Sequence, residues 1–389
     1  MDCTLGATTD AAPPIARTRL HCLDSIRGLA SLTVLIFHCV ALYPDTIRDR
    51  IFAVAKFTPF LIFLNGHAAV IMFFALSGYV LSLPYFADRP VPYGQYLVKR
   101  FCRIYLPFAV AICLSVFLWL FSSHVPVPSL GTWFQENWPD PPLVWRQVLS
   151  HFLMDGTHFA TRFDEPIWSL AHEMRISIIF PVLVLISRKS NRAIALGLVL
   201  FFVSTPLLEL CGDANIGVVP ESTMAAWILT LRYVPFFLMG ILLAKHAATL
   251  GARIRQMPWW LYAGCWAASY AAICKHIRSD WVVAHFGDLI IALGSGGLIV
   301  LTLHSPRVSH FLEKGLAHWL GRVSYSLYLI HLPVLWFVGY QLGESFGISV
   351  VVMVAIALSL VLAEFMFRFV EQPAIALGRK LIARSTIDF

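Results

Sequence analysis

The chain has 389 residues, of which 58% are hydrophobic and only 13% are charged, and its mean hydropathy is +0.73. Because soluble domains carry about 25% charged residues, this composition excludes an ordinary soluble enzyme and a disordered or fibrous chain. A net charge of +7 would favour nucleic-acid binding in a soluble protein. In a chain this apolar, we expect a lipid bilayer as the partner and no nucleic acid.

Ten apolar runs approach the length of about 20 residues that a helix needs to cross a bilayer. The sequence therefore predicts an all-α, polytopic membrane protein of about ten transmembrane helices. A polar tail over residues 1–22 precedes the membrane domain of residues 23–379, and a second tail covers residues 380–389. The predicted helices are Leu23–Tyr43, Pro59–Leu83, Phe101–Phe121, Ile167–Ser187, Ala193–Leu210, Trp227–Lys245, Pro258–Lys275, His285–Leu303, Gly321–Gln341 and Ile348–Phe369.

The positive charges divide unequally between the two sides of these spans. Twenty Lys and Arg fall on the side of the N-terminus and eight on the opposite side. Because cytoplasmic loops are enriched in Lys and Arg, we predict that both termini are cytoplasmic and that the protein is a multi-pass protein of the cell (inner, cytoplasmic) membrane. The connection of residues 122–166 then lies outside and is long enough to cover a site.

The eight cysteines show no CxxC motif and no Cys/His spacing typical of a metal site, so no metal is predicted. Cys211 and Cys274 both lie near outer helix ends. One interpretation is that they form a disulfide. The other is that both act as small apolar residues.

The first predicted helix carries a polar stripe. At about 100° per residue, Asp24 and Arg27 share a face, and His38, three turns further on, shares it too. Ionisable residues inside the membrane are costly and by default indicate function. The alternative is that such a residue only bonds a neighbouring helix.

The fourth predicted helix carries a second stripe, formed by Ser169, Glu173 and Ser177 at i, i+4 and i+8. Glu173 and His38 fall at similar depth in the outer half. A histidine with a carboxylate partner is a plausible general base, because the carboxylate orients the ring and stabilises its cation. We therefore predict that Glu173 orients His38.

Arginines gather at the opposite depth. Arg100 and Arg103 open the third helix as an i, i+3 pair, and Arg27 lies at a similar level. Guanidinium groups suit phosphates, which indicates a phosphate-bearing ligand. The alternative is that these arginines only flank the cytoplasmic ends of membrane helices, where Lys and Arg are generally enriched.

The ninth predicted helix carries Ser324, Tyr325, Tyr328 and His331. Two interpretations stay open. These residues form a helix-packing seam of small and hydroxyl side chains, or they line the substrate site.

Six motifs in order resemble the acyltransferase-3 family of integral-membrane acyltransferases. The motifs are residues 23–30 (LDSIRGLA) with His38, 73–79 (FFALSGY), 99–103 (KRFCR), 168–173 (WSLAHE), 321–333 (GRVSYSLYLIHLP) and 367–373 (FRFVEQP). They extend over most of the chain.

The resemblance implies transfer of an acyl group, usually acetyl from acetyl-CoA, to a sugar hydroxyl of an envelope polysaccharide or lipid-linked glycan. The family's Arg-then-His pair falls on Arg27 and His38. The family's Glu-Glu-Gln run is kept only at Glu173, and this departure leaves Arg175 without an assigned role.

The resulting hypothesis is an O-acyltransferase with no permanently bound cofactor, whose partners are acyl-CoA as donor substrate and a carbohydrate or glycolipid acceptor. A covalent acyl-His38 intermediate is an alternative to direct transfer. Rival functions are acylation of a small metabolite or antibiotic, and a transporter or flippase with the same polar path. The candidate residues are His38 and Glu173 for catalysis, Arg27, Arg100 and Arg103 for the donor, and Trp168, Ser169, Tyr325 and His331 for substrate.

Overall fold

A computed structural model of the chain describes residues 14–88, 91–138, 142–212, 219–274 and 281–385. Within these ranges the secondary structure is helical, with no strand. The predicted all-α polytopic class is confirmed. The described parts of both predicted tails are helical as well, and residues 1–13 and 386–389 of those tails lie outside the described residues.

The helices follow one another with short connections. In chain order they are α1 (Pro14–Ala41), α2 (Asp45–Ala55), α3 (Gly66–Phe86), α4 (Tyr93–Arg100), α5 (Leu106–Leu120), α6 (Thr132–Asn137), α7 (Trp145–Phe152), α8 (His158–Thr161), α9 (Trp168–Lys189), α10 (Ala193–Leu210), α11 (Thr223–Lys245), α12 (Ala247–Arg255), α13 (Trp259–Ile273), α14 (Trp281–His304), α15 (Pro306–Leu312), α16 (Gly315–Leu342), α17 (Ile348–Met366) and α18 (Gln372–Ser385). π-helical turns join α4 to α5 (Phe101–Tyr105) and α17 to α18 (Phe367–Glu371).

Nine helical stretches in the described ranges are long and apolar enough to cross a membrane, and they match nine of the ten predicted spans. The run predicted at Pro258–Lys275 forms α13, which has 15 residues and ends with a cap at Cys274. At 1.5 Å per residue it rises roughly 22 Å, less than the hydrocarbon thickness of about 30 Å. The cytoplasmic placement of both termini stays a prediction.

The most extensive helix contact joins α1 to α16. Gly28 and Gly321 lie at the crossing, where a Cβ on Gly28 would meet the backbone of α16 at 2.4 Å. The Ser31 hydroxyl donates to the Ser324 carbonyl at 2.7 Å, between residues 293 apart in sequence. Small residues let transmembrane helices approach closely, and this approach brings the polar faces of α1 and α16 together.

The long connection between α5 and α9 folds over one end of the bundle. The Gly131 N–H donates to the Leu42 carbonyl at 2.7 Å, and the Ser129 hydroxyl donates to the Gly343 carbonyl at 3.0 Å. Trp138 is buried against Trp336. The connection is therefore fixed to the ends of α1 and α16.

His151 of α7 is fully enclosed in this connection. Its Nδ1–H donates to the Gln147 carbonyl at 2.8 Å, and its Nε2 accepts from the Phe163 N–H at 3.1 Å. Burial lowers the pKa of His151 to about 4, because the charged form would lose its hydration. The imidazole is neutral at physiological pH.

Arg175, which the sequence left without a role, ties α9 to the same connection. Its guanidinium donates to the Asp155 carbonyl at 2.6 Å and to the Ala226 carbonyl at 3.0 Å, and it lies 4.3 Å from the Trp227 ring centroid. Arg175 therefore acts as a structural clamp between α9, α11 and the connection.

Cys211 and Cys274 are free thiols, as are the other five cysteines that the described ranges contain. No disulfide joins α10 to α13.

Candidate active site

Two cavities adjoin each other inside the bundle. The first, which we call the arginine cavity, encloses about 280 Å³, and its lining includes these charged residues among apolar ones: Asp24, Arg27, Arg100, Arg103, Glu173, Arg322 and Glu371. The second, the histidine cavity, encloses about 230 Å³ and is lined by His38, His67, Trp133, Glu165, Trp168 and Tyr328. Tyr328 also lines the arginine cavity. Tyr328 thus lies where the arginine cavity meets the histidine cavity.

In the arginine cavity, the predicted face of α1 carries an ion pair. The Arg27 guanidinium lies 3.1 Å from the Asp24 carboxylate, which confirms that the two residues share a face. Both side chains line the cavity, so the pair adds little net charge there.

Arg100 is held by the polar stripe of α9. Its Nη2 donates to a Glu173 oxygen at 2.7 Å and to the Ser177 hydroxyl at 2.9 Å, and its Nε donates to the same hydroxyl at 3.2 Å. Glu173 also accepts from the Ser77 hydroxyl at 3.0 Å. The Arg100 side chain is buried, and Glu173 is its counter-ion.

Arg103 and Arg322 are the exposed cations of this cavity. Among the described residues, neither has a carboxylate within ion-pair distance of 4.0 Å. Arg103 belongs to the π-helical turn of Phe101–Tyr105, and the second π-helical turn, Phe367–Glu371, contributes Phe367 and Glu371 to the same wall. π-helical turns are frequent at functional sites. The guanidinium groups best placed for an anionic ligand are therefore those of Arg103 and Arg322.

In the histidine cavity, His38 is paired with His331 of α16. The His38 Nδ1 lies 2.9 Å from the Val34 carbonyl and 3.2 Å from the His331 Nε2. The His331 Nδ1 lies 2.8 Å from the Tyr328 carbonyl. Because a carbonyl only accepts, each Nδ1 carries the proton, and the His331 Nε2 accepts from His38. This tautomer leaves the lone pair on the His38 Nε2 unused within the described part of the chain.

An aromatic ring fixes the orientation of His38. Trp133, from the connection that covers the bundle, stacks on the His38 imidazole with ring centroids 5.5 Å apart and planes inclined by 30°. The indole and the Glu165 side chain line the same cavity. The predicted covering role of residues 122–166 is thus realised through Trp133 and Glu165.

The boundary between the cavities is a short chain of hydroxyls. The Tyr328 hydroxyl donates to the Pro166 carbonyl at 2.7 Å and lies 2.7 Å from the Ser169 hydroxyl. Ser169 lines the arginine cavity and Trp168 the histidine cavity. Tyr325, which also lines the arginine cavity, donates to the Ile104 carbonyl at 2.7 Å.

Two predicted relations are corrected by these contacts. Glu173 bonds Arg100 and Ser77 and lines the arginine cavity, so the expected contact between Glu173 and His38 is not formed. α9 turns this carboxylate toward α4 and α3, into the cavity that Arg27 and Arg100 also line. His331 was expected to face substrate; instead it is fully buried behind His38, as the support of that ring.

A second histidine of this cavity was not singled out from the sequence. His67, in the first turn of α3, has its Nε2 2.8 Å from an Asp288 oxygen. The other Asp288 oxygen lies 3.2 Å from the Arg232 guanidinium. The sequence contains a signal for this cluster, because Asp288 and Arg232 are ionisable residues within predicted membrane spans.

A carboxylate near the same cavity was missed as well. Asp164 precedes α9, is fully buried, and has both oxygens without a hydrogen-bond partner in the described ranges. Burial, and then the neighbouring Glu165, raise the pKa of Asp164 well above its usual range. Perturbed acids of this kind cluster at functional sites.

Comparisons with known proteins agree with this geometry. A family model described as an acyltransferase domain matches residues 20–365. The fold and site therefore define a polytopic membrane acyltransferase, and the chain belongs to the acyltransferase-3 family.

Individual relatives are distant. The chain is similar to O-acetyltransferase PaAT-1 of Phomopsis amygdali, with 22% identity over 92% of this chain and 83% of that protein. It is 24% identical to a putative peptidoglycan O-acetyltransferase, YrhL, of Bacillus subtilis, and 23% identical to O-acetyltransferase OatA of Staphylococcus aureus, each over 93% of this chain. The chain spans 56% and 58% of those two bacterial proteins. No solved structure matches the chain.

Proposed function

We propose that the protein transfers an acetyl group from acetyl-CoA, across the boundary between the two cavities, to a hydroxyl of a carbohydrate or glycolipid of the cell envelope. The supporting observation is that Tyr328 lines both cavities. The arginine cavity, which suits phosphates, then adjoins the histidine cavity, where the Nε2 of His38 has an unused lone pair. The names of the distant relatives agree with acetyl as the group transferred.

The donor occupies the arginine cavity in this proposal. Its phosphates meet Arg103 and Arg322, with Arg27 and the remaining N–H groups of Arg100 behind them. Arginine forks bind phosphate oxygens in pairs. The thioester end points toward Ser169 and Tyr328, where the chain of hydroxyls marks the passage between the cavities.

The acceptor occupies the histidine cavity. Trp133 and Trp168 offer it aromatic surfaces, and Glu165 offers it a carboxylate. The unprotonated Nε2 of His38 takes the proton from the acceptor hydroxyl as the oxygen attacks the thioester carbonyl carbon. The C–S bond then breaks, and the proton on His38 passes to the departing thiolate, so that an acetate ester and free CoA are the products.

His331 and Glu173 are positioning residues in this mechanism. His331 keeps the proton of His38 on Nδ1, and so keeps Nε2 available as the base. Glu173 fixes the Arg100 guanidinium at the wall of the donor cavity. Neither residue exchanges a proton with the substrates.

The test is incubation of membranes that contain the protein with acetyl-CoA labelled in the acetyl group, followed by separation of lipid, polysaccharide and soluble fractions. Base-labile label in the lipid or polysaccharide fraction supports the proposal. Label only in soluble esters would replace the acceptor by a small metabolite. Passage of a substrate across vesicles without any ester formation would favour a transporter and contradict the proposal.

A further inference from the structure

His67 has a buried nitrogen that the protein itself leaves unsatisfied. Its Nε2 is taken by Asp288, at 2.8 Å. Its Nδ1 is buried and has no hydrogen-bond partner within the described ranges. Buried polar atoms are nearly always bonded, and each exception needs an explanation. Because His67 lines the histidine cavity, a bound ligand is the natural partner.

Asp288 and Arg232 determine what kind of partner fits. The Asp288 side chain is only 8% exposed and the Arg232 side chain 1%, and their charges neutralise each other. A carboxylate at the Nε2 of His67 requires the proton to be on that nitrogen. In the neutral imidazole the Nδ1 is then a hydrogen-bond acceptor, so its partner must be a donor such as a hydroxyl.

The two histidines of the cavity are built alike. Each is held by a hydrogen bond from behind, His38 by His331 and His67 by Asp288. Each also faces an indole, Trp133 for His38 at 5.5 Å and Trp168 for His67 at 6.5 Å between ring centroids. Rings held in this way present one fixed lone pair each.

The size of the cavity limits what can meet both lone pairs. It encloses about 230 Å³, and an engineered protein cavity of about 150 Å³ holds one benzene molecule. One six-membered ring with its substituents therefore fits, whereas two rings side by side do not.

We infer that His67 binds a second hydroxyl of the acceptor through its Nδ1, while His38 acts on the hydroxyl that becomes acetylated. His67 is thus a specificity-determining residue that selects a ring with at least two hydroxyls. The inference rests on the function proposed above. No bond is made or broken at His67.

The test compares two probe acceptors with purified protein and acetyl-CoA, namely trans-cyclohexane-1,2-diol and cyclohexanol, which differ by one hydroxyl. Since one net hydrogen bond corresponds to about a tenfold difference, we expect kcat/KM for the diol to exceed that for cyclohexanol by about tenfold.

Two substitutions separate binding from a structural role. His67→Gln keeps an amide N–H for Asp288 but has no acceptor at the position of Nδ1, so the diol preference should fall to about one. His67→Asn places an amide oxygen near that position, and should restore part of the preference. The KM for acetyl-CoA, which binds in the other cavity, should stay within about twofold and so report an intact fold.

The outcomes distinguish this inference from the proposed function. A diol preference that persists in His67→Gln overturns the role of His67 while acetyl transfer stands. Equal use of both probes, or use of neither, by a wild-type protein that consumes acetyl-CoA overturns it too. If the wild-type protein leaves acetyl-CoA intact, the proposed function fails and the role of His67 falls with it.

Discussion

The crossing of α1 and α16 should be sensitive to a single methyl group. In Gly28→Ala, the new Cβ would lie 2.4 Å from the Gly321 nitrogen and from the Leu320 carbonyl carbon, whereas ordinary contact begins at 3.4 Å. The two backbones must separate by roughly 1 Å, since close-packed interiors leave no free space. The Ser31–Ser324 bond, one turn away, would stretch from 2.7 Å beyond hydrogen-bonding distance.

The expected losses of stability and of transfer rate in Gly28→Ala can be estimated from these contacts. A buried hydroxyl left without its partner costs about 1–3 kcal/mol, so thermal unfolding in detergent should occur at lower temperature. The same displacement moves His331 away from His38, whose nitrogens are 3.2 Å apart. A misplacement of about 1 Å can lower a rate about 100-fold, and we expect a loss of that order in acetyl transfer per folded molecule.

The matched control is Gly264→Ala in α13, where a Cβ has nothing within 4 Å. That substitution should leave transfer unchanged and should raise stability by up to about 1 kcal/mol, the difference in helix propensity. Unchanged melting and unchanged transfer in Gly28→Ala would refute the reasoning. Lower stability with a normal rate per folded molecule would refute only the link from the crossing to the histidines.

Two further predictions concern the donor cavity and the covering connection. Arg103→Gln should raise the KM for acetyl-CoA by about tenfold or more, because charged hydrogen bonds contribute about 1.5–3 kcal/mol, and it should leave thermal stability unchanged, because Arg103 is exposed. Arg100→Gln should also lower thermal stability, because Glu173 loses its counter-ion. Equal thermal stability of the two variants would contradict this assignment. The pKa of His151 is about 4 in the folded protein and about 6.5 in an unfolded chain. Between these pH values the unfolded state binds more protons than the folded state. The folding stability of the connection should therefore fall by up to about 3 kcal/mol as the pH falls from 6.5 to 4. Proteolysis of residues 122–164 across this pH range should accelerate in the wild type and much less in His151→Gln, which keeps an acceptor for the Phe163 N–H; identical profiles would count against His151 as the cause.

The membrane helices could be predicted because each depends only on a local run of apolar residues. The exception is α13, because the predicted run Pro258–Lys275 included Pro258, Cys274 and Lys275, whereas the helix itself has 15 residues. The faces of the helices were also predictable. Periodicity accounts for the pairing of Asp24 with Arg27 and for the shared face of Ser169 and Glu173, which line one cavity. Ser177 continues that face and bonds Arg100.

The partners across helices could not be predicted, because periodicity sets a face but not the neighbour of that face. Glu173 shares a cavity-lining face of α9 with Ser169, as predicted, yet its carboxylate bonds Arg100 and not His38. The partner of His38 is His331, and that contact depends on two glycines at a crossing between distant parts of the chain. The role of Asp288 likewise needed the positions of His67 and Arg232 in space.

The most direct test of the account is acetyl transfer by His38→Ala, measured as label incorporated from acetyl-CoA in membranes that contain equal amounts of inserted protein. We expect His38→Ala to lose about 10²–10⁴-fold of the activity, the usual contribution of a general base. His310→Ala, a change at an exposed histidine, should act like the wild type. Transfer by His38→Ala within about threefold of the wild-type rate would contradict the central claim that the His38 Nε2 takes the acceptor proton.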